Sequence, residues 1–186
     1  NLNANLNYRY AKTGGAELNL DADYGIFKIR SNQYQPNYYY LANGTTETSR
    51  AIYNMIAPTD INLYSVKADY ETNYKGGRLG IGGKIGVVES DNDFQRYDVF
   101  NNGKVLDTLK SNRFKYKENI NALYVNYNKQ FKKGFMIQAG IRAENTNSDG
   151  NSTGFKQVSH VMQPYDSTFS RDYTNLFPSA AFTLNK

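Results

Sequence analysis

The chain has 186 residues and a formal net charge of +5, with no cysteine, no tryptophan, one histidine, 17 tyrosines and 15 glycines. A disulfide framework and a thiolate metal site are excluded, and a zinc site or a serine–histidine relay would have to be built on His160 alone. No apolar run approaches the roughly 20 residues of a membrane-spanning helix, and the scattered Lys and Arg make a poor footprint for nucleic acid or anionic lipid.

The chain opens on alternation. Leu2, Ala4, Leu6, Tyr8 and Tyr10 alternate with Asn3, Asn5, Asn7 and Arg9, so an extended strand here has one apolar and one polar face. No basic-then-apolar leader precedes it, so any signal peptide has been removed or lies outside this sequence. After a turn at Lys12-Thr13-Gly14-Gly15, the residues Ala16, Leu18, Leu20, Ala22, Tyr24 and Ile26 repeat the pattern against Glu17, Asn19, Asp21 and Asp23. A third strand carries Tyr64, Val66, Ala68 and Tyr70 against Ser65, Lys67, Asp69 and Glu71; the apolar stretch 51–57 either extends it or makes a short turn of its own. The turn Lys75-Gly76-Gly77 leads to Leu79, Ile81, Ile85 and Val87, and a weaker strand holds Leu123, Val125 and Tyr127. A turn at 131–134, flanked by Lys129, Lys132 and Lys133 as a solvated basic cluster, precedes Phe135, Ile137, Ala139, Ile141 and Ala143. The last run is Leu176, Pro178, Ala180, Phe182 and Leu184 against Ser179, Thr183 and Asn185; Pro178 is expected at a strand start or a bulge, since it cannot donate to the ladder. The reading is an all-β chain, an antiparallel up-and-down meander of about seven strands, with no convincing helix.

The connections alternate in length: short at 12–15, 73–77 and 131–134, and long at 28–60, 89–114 and 146–174. An outer-membrane barrel has this asymmetry, with short periplasmic turns and long outer loops. Strands of about 9–11 tilted residues suffice to cross the apolar layer, and aromatic residues such as Tyr8, Tyr10, Tyr24, Tyr74, Tyr127, Phe131 and Phe135 gather near strand ends as an interfacial girdle would. The charged face must meet water, because such groups in a dry core are costly unless paired. A soluble sandwich with its apolar face inward shows the same alternation; loop asymmetry favours the membrane barrel. The mean hydropathy of −0.71 does not oppose this, since a barrel averages a lipid face with a wet face and polar loops.

From Lys115 onward the segments Tyr116-Lys-Glu-Asn-Ile-Asn-Ala-Leu-Tyr-Val-Asn-Tyr-Asn-Lys-Gln-Phe131, Gln138-Ala-Gly-Ile-Arg-Ala-Glu144 and Tyr173-Thr-Asn-Leu-Phe-Pro-Ser179 resemble the barrel of the outer-membrane β-barrel family related to TonB-dependent receptors. The first half is similar through its alternation and connection order. The resemblance implies a barrel of about 22 strands around a plug domain, of which residues 1–186 would be one barrel segment without a plug. It also implies as partners the lipid bilayer, the rest of the barrel with its plug, and an unidentified extracellular ligand. An excised segment would close, curl or pair edge to edge with a second copy.

The candidate sites are few. Gly80-Ile-Gly-Gly83 lies inside a strand with no helix after it, so it fits close packing rather than a phosphate loop. Asp91-Asn92-Asp93 lacks the later acid of a calcium loop. Asp21 and Asp23 share a face at about the spacing of a glycosidase pair, but two lumen-facing acids explain them with less. Ser159-His160 has no orienting partner, and no cofactor or metal is expected. Tyr38, Tyr39 and Tyr40, beside Pro36, form the candidate ligand-binding cluster of an outer loop. The function read from the sequence is the barrel wall of a receptor that takes up a large nutrient such as a siderophore or glycan, without catalysis; the alternative is a self-contained soluble β-sandwich or small barrel that binds a ligand or partner.

Overall fold

The computed structural model describes residues 1–101 and 103–184, with Lys133 described by its backbone only. Asn185, placed by the alternation in the last strand, and the Lys133 side chain of the basic turn lie outside the described residues. The strands are β1 (Leu2–Ala11), β2 (Glu17–Tyr40), β3 (Glu47–Tyr74), β4 (Gly77–Phe100), β5 (Gly103–Leu106), β6 (Asn112–Gln130), β7 (Phe135–Val158) and β8 (Val161–Leu184). They form one antiparallel sheet in the order β1-β2-β3-β4-β6-β7-β8, and the four-residue β5 pairs with β4. The seven-strand meander holds, with one short strand added. A sandwich would need a second sheet over the apolar face, and all the described strands lie in this one sheet. The sheet is open, since β1 and β8 are its two edges.

The long connections expected at 28–60, 89–114 and 146–174 are strand. The ladder between β2 and β3 runs on from Lys28↔Asp60 to Tyr38↔Arg50, and β7 and β8 stay paired as far as Val158↔Val161. Residues 51–57 therefore extend β3. The true outer connections are short: residues 41–46, a segment around β5 and a 3-10 turn at Thr108–Lys110, and the two-residue turn Ser159-His160. In these stretches the charged side chains take over the face that was apolar, so the alternation breaks and they read as loops, but a backbone ladder forms whichever face is apolar.

Proline positions follow from the ladder. Pro178 and Pro164 lie within β8, an edge strand, so Pro178 is neither at a strand start nor at a bulge. Pro36 lies on β2 beyond the reach of β1, whose pairing stops at Ile26. At Pro58 the β3–β4 pairing lapses between Ile56↔Gln95 and Thr59↔Asn92 without a change of register. Each proline thus sits where one neighbour is missing.

Exposure separates the two faces. On one, Leu6, Leu123 and Phe182 are 74%, 72% and 70% exposed; on the other, Ala122, Thr146 and Ser148 are 3–5% exposed. The apolar face is therefore convex and the polar face concave. The upper limit of the apolar belt runs through Ile26 on β2, Tyr64 on β3, Val87 on β4, Leu123 on β6, Ala143 on β7 and Leu176 on β8. The hydrogen-bonded row through Leu176 (Ala143, Leu123, Gly83, Ala68) meets β2 at Leu20, six residues short of Ile26 after five strand steps. Six residues rise about 20 Å and five steps span about 24 Å, so the belt is inclined about 40° to the hydrogen-bonded rows, which matches the tilt of strands from the membrane normal in membrane barrels.

On β3 the belt is bordered by Tyr64, which packs 5.1 Å from Tyr24, and by Tyr74, which meets Tyr127 edge-on at 6.5 Å. Ten residues at that tilt give a height of roughly 25 Å, matching the apolar band of an outer-membrane barrel. Phe131, Phe135 and Phe182 continue the lower border, with centroids 5.8 and 6.3 Å apart.

Candidate ligand-binding face

At belt height the concave wall is charged, and its acids are all paired or hydrogen-bonded. Arg9 is 2.7 Å from Glu17, whose other oxygen is 3.4 Å from Arg78; Arg78 also binds Glu71. Lys67 pairs with Asp69 at 2.7 Å, Tyr124 donates to Asp69, and Arg142 lies 5.8 Å from the Tyr124 ring while binding Glu144. Asp21 and Asp23 each accept from an asparagine across β1, Asn7 and Asn5, at 2.7 Å. Those bonds occupy the acid pair as wall contacts.

Glycine has one clear task here. A Cβ on Gly82 would collide with the Tyr124 ring, and one on Gly150 with the Phe169 ring. Each glycine leaves a bare backbone over which a cross-strand aromatic lies flat, a known way of stabilising glycine in a sheet. Gly80-Ile-Gly-Gly83 is thus a packing element within β4, and no helix follows it.

Above the belt the two faces exchange chemistry while the register continues. The convex face carries Lys28, Arg30, Asp60, Glu89, Asp91, Arg113, Lys115, Lys117 and Asp149, joined by Arg30–Asp60 at 2.7 Å, Arg113–Asp91 at 2.6 Å and Lys117–Glu89 at 2.8 Å. The basic residues of β6 face the acids of β4. The Arg113 hydrogen bond is the main cause that holds the Asp91 carboxyl below its usual range. Asp91 and Asp93 both point outward and Asp91 takes two Arg113 bonds, so this stretch is strand rather than a calcium loop. No cluster of metal-binding side chains occurs among the described residues.

The concave face above the belt becomes apolar and aromatic. One register row reads Phe27, Ile61, Ser90, Tyr116, Gly150, Phe169. Phe114 stacks on Tyr116 at 6.4 Å, and Tyr116 lies 6.5 Å from Phe169. Tyr116 donates to Glu118, which is the main reason its phenol is held above its ordinary value. Farther out, Arg96 stacks at 3.8 Å on Tyr53 and is 3.7 Å from Asp98.

Tyr38, Tyr39 and Tyr40 end β2 rather than lying in a loop, all about half exposed. The pleat divides them: Tyr38 shares its face with Arg50, 5.8 Å from its ring, and Tyr39 points the other way. His160 and Ser159 form the β7–β8 turn at φ +65° and +49°. The aromatic row on the concave face was missed by reading the sequence; its signal is the switch of apolar residues from even to odd positions at Ile26/Phe27 on β2 and at Tyr64/Leu63 on β3.

Residues 9–185 match the model of a family described as the outer membrane protein beta-barrel family. No curated protein matches. Among solved structures, the ferric yersiniabactin uptake receptor FyuA from Yersinia pestis superposes with a TM-score of 0.64 at 12% identity, over 96% of this chain and 24% of that one. The ferric citrate transporter FecA, in its unliganded form, superposes with a TM-score of 0.54 at 12% identity, over 94% of this chain and 24% of its own. The chain thus spans about a quarter of the length of these structures, and at such identity the likeness is one of fold.

Proposed function

The chain belongs to the outer membrane protein β-barrel family, and we propose that it builds part of the wall of an outer-membrane uptake receptor of the TonB-dependent kind, carrying a nutrient too large for a porin. The observation that carries this reading is the diagonal apolar belt: about 25 Å tall and tilted about 40°, it matches lipid, and the charged wall behind it suits a wet or plugged lumen. The remaining strands of the barrel, a plug domain and the bilayer are the partners this reading implies. No catalytic step is assigned, because the acids of the wall are held in ion pairs and asparagine contacts.

Tyr39, on the concave side at the tip of β2, continues the aromatic lining of the vestibule, and Tyr38 and Tyr40 flank it; the three are proposed to contact ligand as it enters. The test is growth on candidate nutrients with the gene deleted, then complemented by wild type or by the triple alanine variant at 38–40. Uptake lost on deletion and weakened in the triple variant supports the reading. Unchanged uptake after deletion removes it.

A further inference from the structure

We infer that the concave aromatic field above the membrane is a binding surface for an uncharged ligand that presents a flat apolar ring face, either an aryl group or the face of a sugar ring. The inference deepens the uptake reading and rests on it. The row from Phe27 to Phe169 starts at the belt's upper border on β2. Because the belt slopes, it lies seven residues above that border on β8, roughly 18 Å in height. It therefore lines the vestibule rather than the charged wall at membrane level.

Two observations set the ligand chemistry. Phe169 lies over the bare backbone of Gly150 with 44% of its surface exposed, Tyr116 stands 6.5 Å from its ring, and Phe114 stacks on Tyr116 at 6.4 Å. Apolar ring surface left part-exposed, as on Phe169, favours an apolar or ring-shaped occupant. Charge gives the second argument. The cations flanking this row, Lys28, Arg30, Arg113, Lys115 and Lys117, all project from the convex face. The charges nearest the field are engaged with its own rings: Arg171 lies 5.8 Å from Phe169 and Glu118 accepts from Tyr116. A polyanionic chelate would find no free cationic cradle in this row.

The full-length protein, purified from outer membranes in detergent, would be titrated with three probes: 4-nitrobenzyl alcohol for an aryl face, maltoheptaose for a sugar face, and ferric citrate for a polyanion. Binding of either neutral probe, weakened at least tenfold by F114A/Y116A/F169A and within twofold in F155A on the convex face, supports the inference, and the probe that binds names the source. Tighter binding of ferric citrate, no binding of either neutral probe, or an unaffected triple variant overturns it. Photolysis of p-benzoylphenylalanine placed at position 169 is the second measurement. A crosslink into the same polypeptide without ligand shows that the protein covers this face and overturns the inference; its absence supports an open site. None of these readouts depends on transport, so failure of the uptake reading would show separately, as unchanged uptake after deletion.

Discussion

Arginine placed along the convex face of β4 should measure the depth of the lipid directly. Val87 lies at the upper border, Ile85 two residues below it and Ile81 six below, which at a tilt of about 40° puts them roughly 0, 5 and 15 Å into the apolar layer. Ile85 and Ile81 are already 56% and 51% exposed. In water their replacement would therefore change stability by no more than about 0.5 kcal/mol. In a bilayer the charge must be dragged from water. Val87→Arg is expected to cost about 0–1 kcal/mol, Ile85→Arg about 1–2 and Ile81→Arg about 2–4. The assay is urea unfolding of the protein in phosphatidylcholine vesicles, with Lys84→Arg on the concave face as the neutral control. Equal costs at the three positions, or a cost at position 81 below about 0.5 kcal/mol, would refute the assignment of this face to lipid.

Other consequences are equally specific. Gly150→Ala should cost about 1–3 kcal/mol by displacing the Phe169 ring, and much of that cost should vanish in the Phe169→Ala background; an additive double-mutant cycle would contradict the packing role. His160→Gly should stabilise the β7–β8 hairpin by about 1 kcal/mol, because His160 sits at φ +65°; a lower unfolding midpoint would contradict the turn. The Arg113 bond holds the Asp91 carboxyl below its ordinary value. The pair therefore contributes fully above the unfolded carboxyl pKa, near 3.8, and its contribution fades as pH falls through the lower folded value. Half exposed as the pair is, the effect is about 0.5 kcal/mol or less; Asp91→Asn should remove that part of the acid dependence, and an unchanged acid profile in the variant would speak against the pair.

The strands were legible where one face meets lipid. From Leu18 to Ile26 or Tyr64 to Tyr70 every second residue is apolar, and period two fixes both the strand and its facing. Above the border the same rule misleads. At Phe27 and Leu63 the apolar residues pass to the opposite parity, and the convex side fills with Lys28, Asp60 and Asp91, so a continuous strand reads as a broken pattern followed by a polar loop. The ladder itself carries no such signature, since backbone hydrogen bonds form with any side chain but proline. The candidate site suffered for the same reason. Tyr38, Tyr39 and Tyr40 stand out as a run, yet the pleat sends neighbours apart. Phe27, Tyr116 and Phe169, scattered over more than 140 positions, meet in one row only through the register. Likewise Pro178 points to a strand start or a bulge as long as the neighbours of its strand are unknown; an edge position satisfies the same constraint.

The central claim is that this sheet crosses the outer membrane with its hydrogen-bonded rows inclined to the bilayer plane. The chain has no cysteine, so single cysteines bearing nitroxide labels can be placed at positions 20, 26 and 176 in turn and their access to oxygen and to a water-soluble nickel complex compared in vesicles. Equal depth for 26 and 176, with 20 far deeper, is the expected result. Equal depth for 20 and 176, which share a register row, would contradict the account.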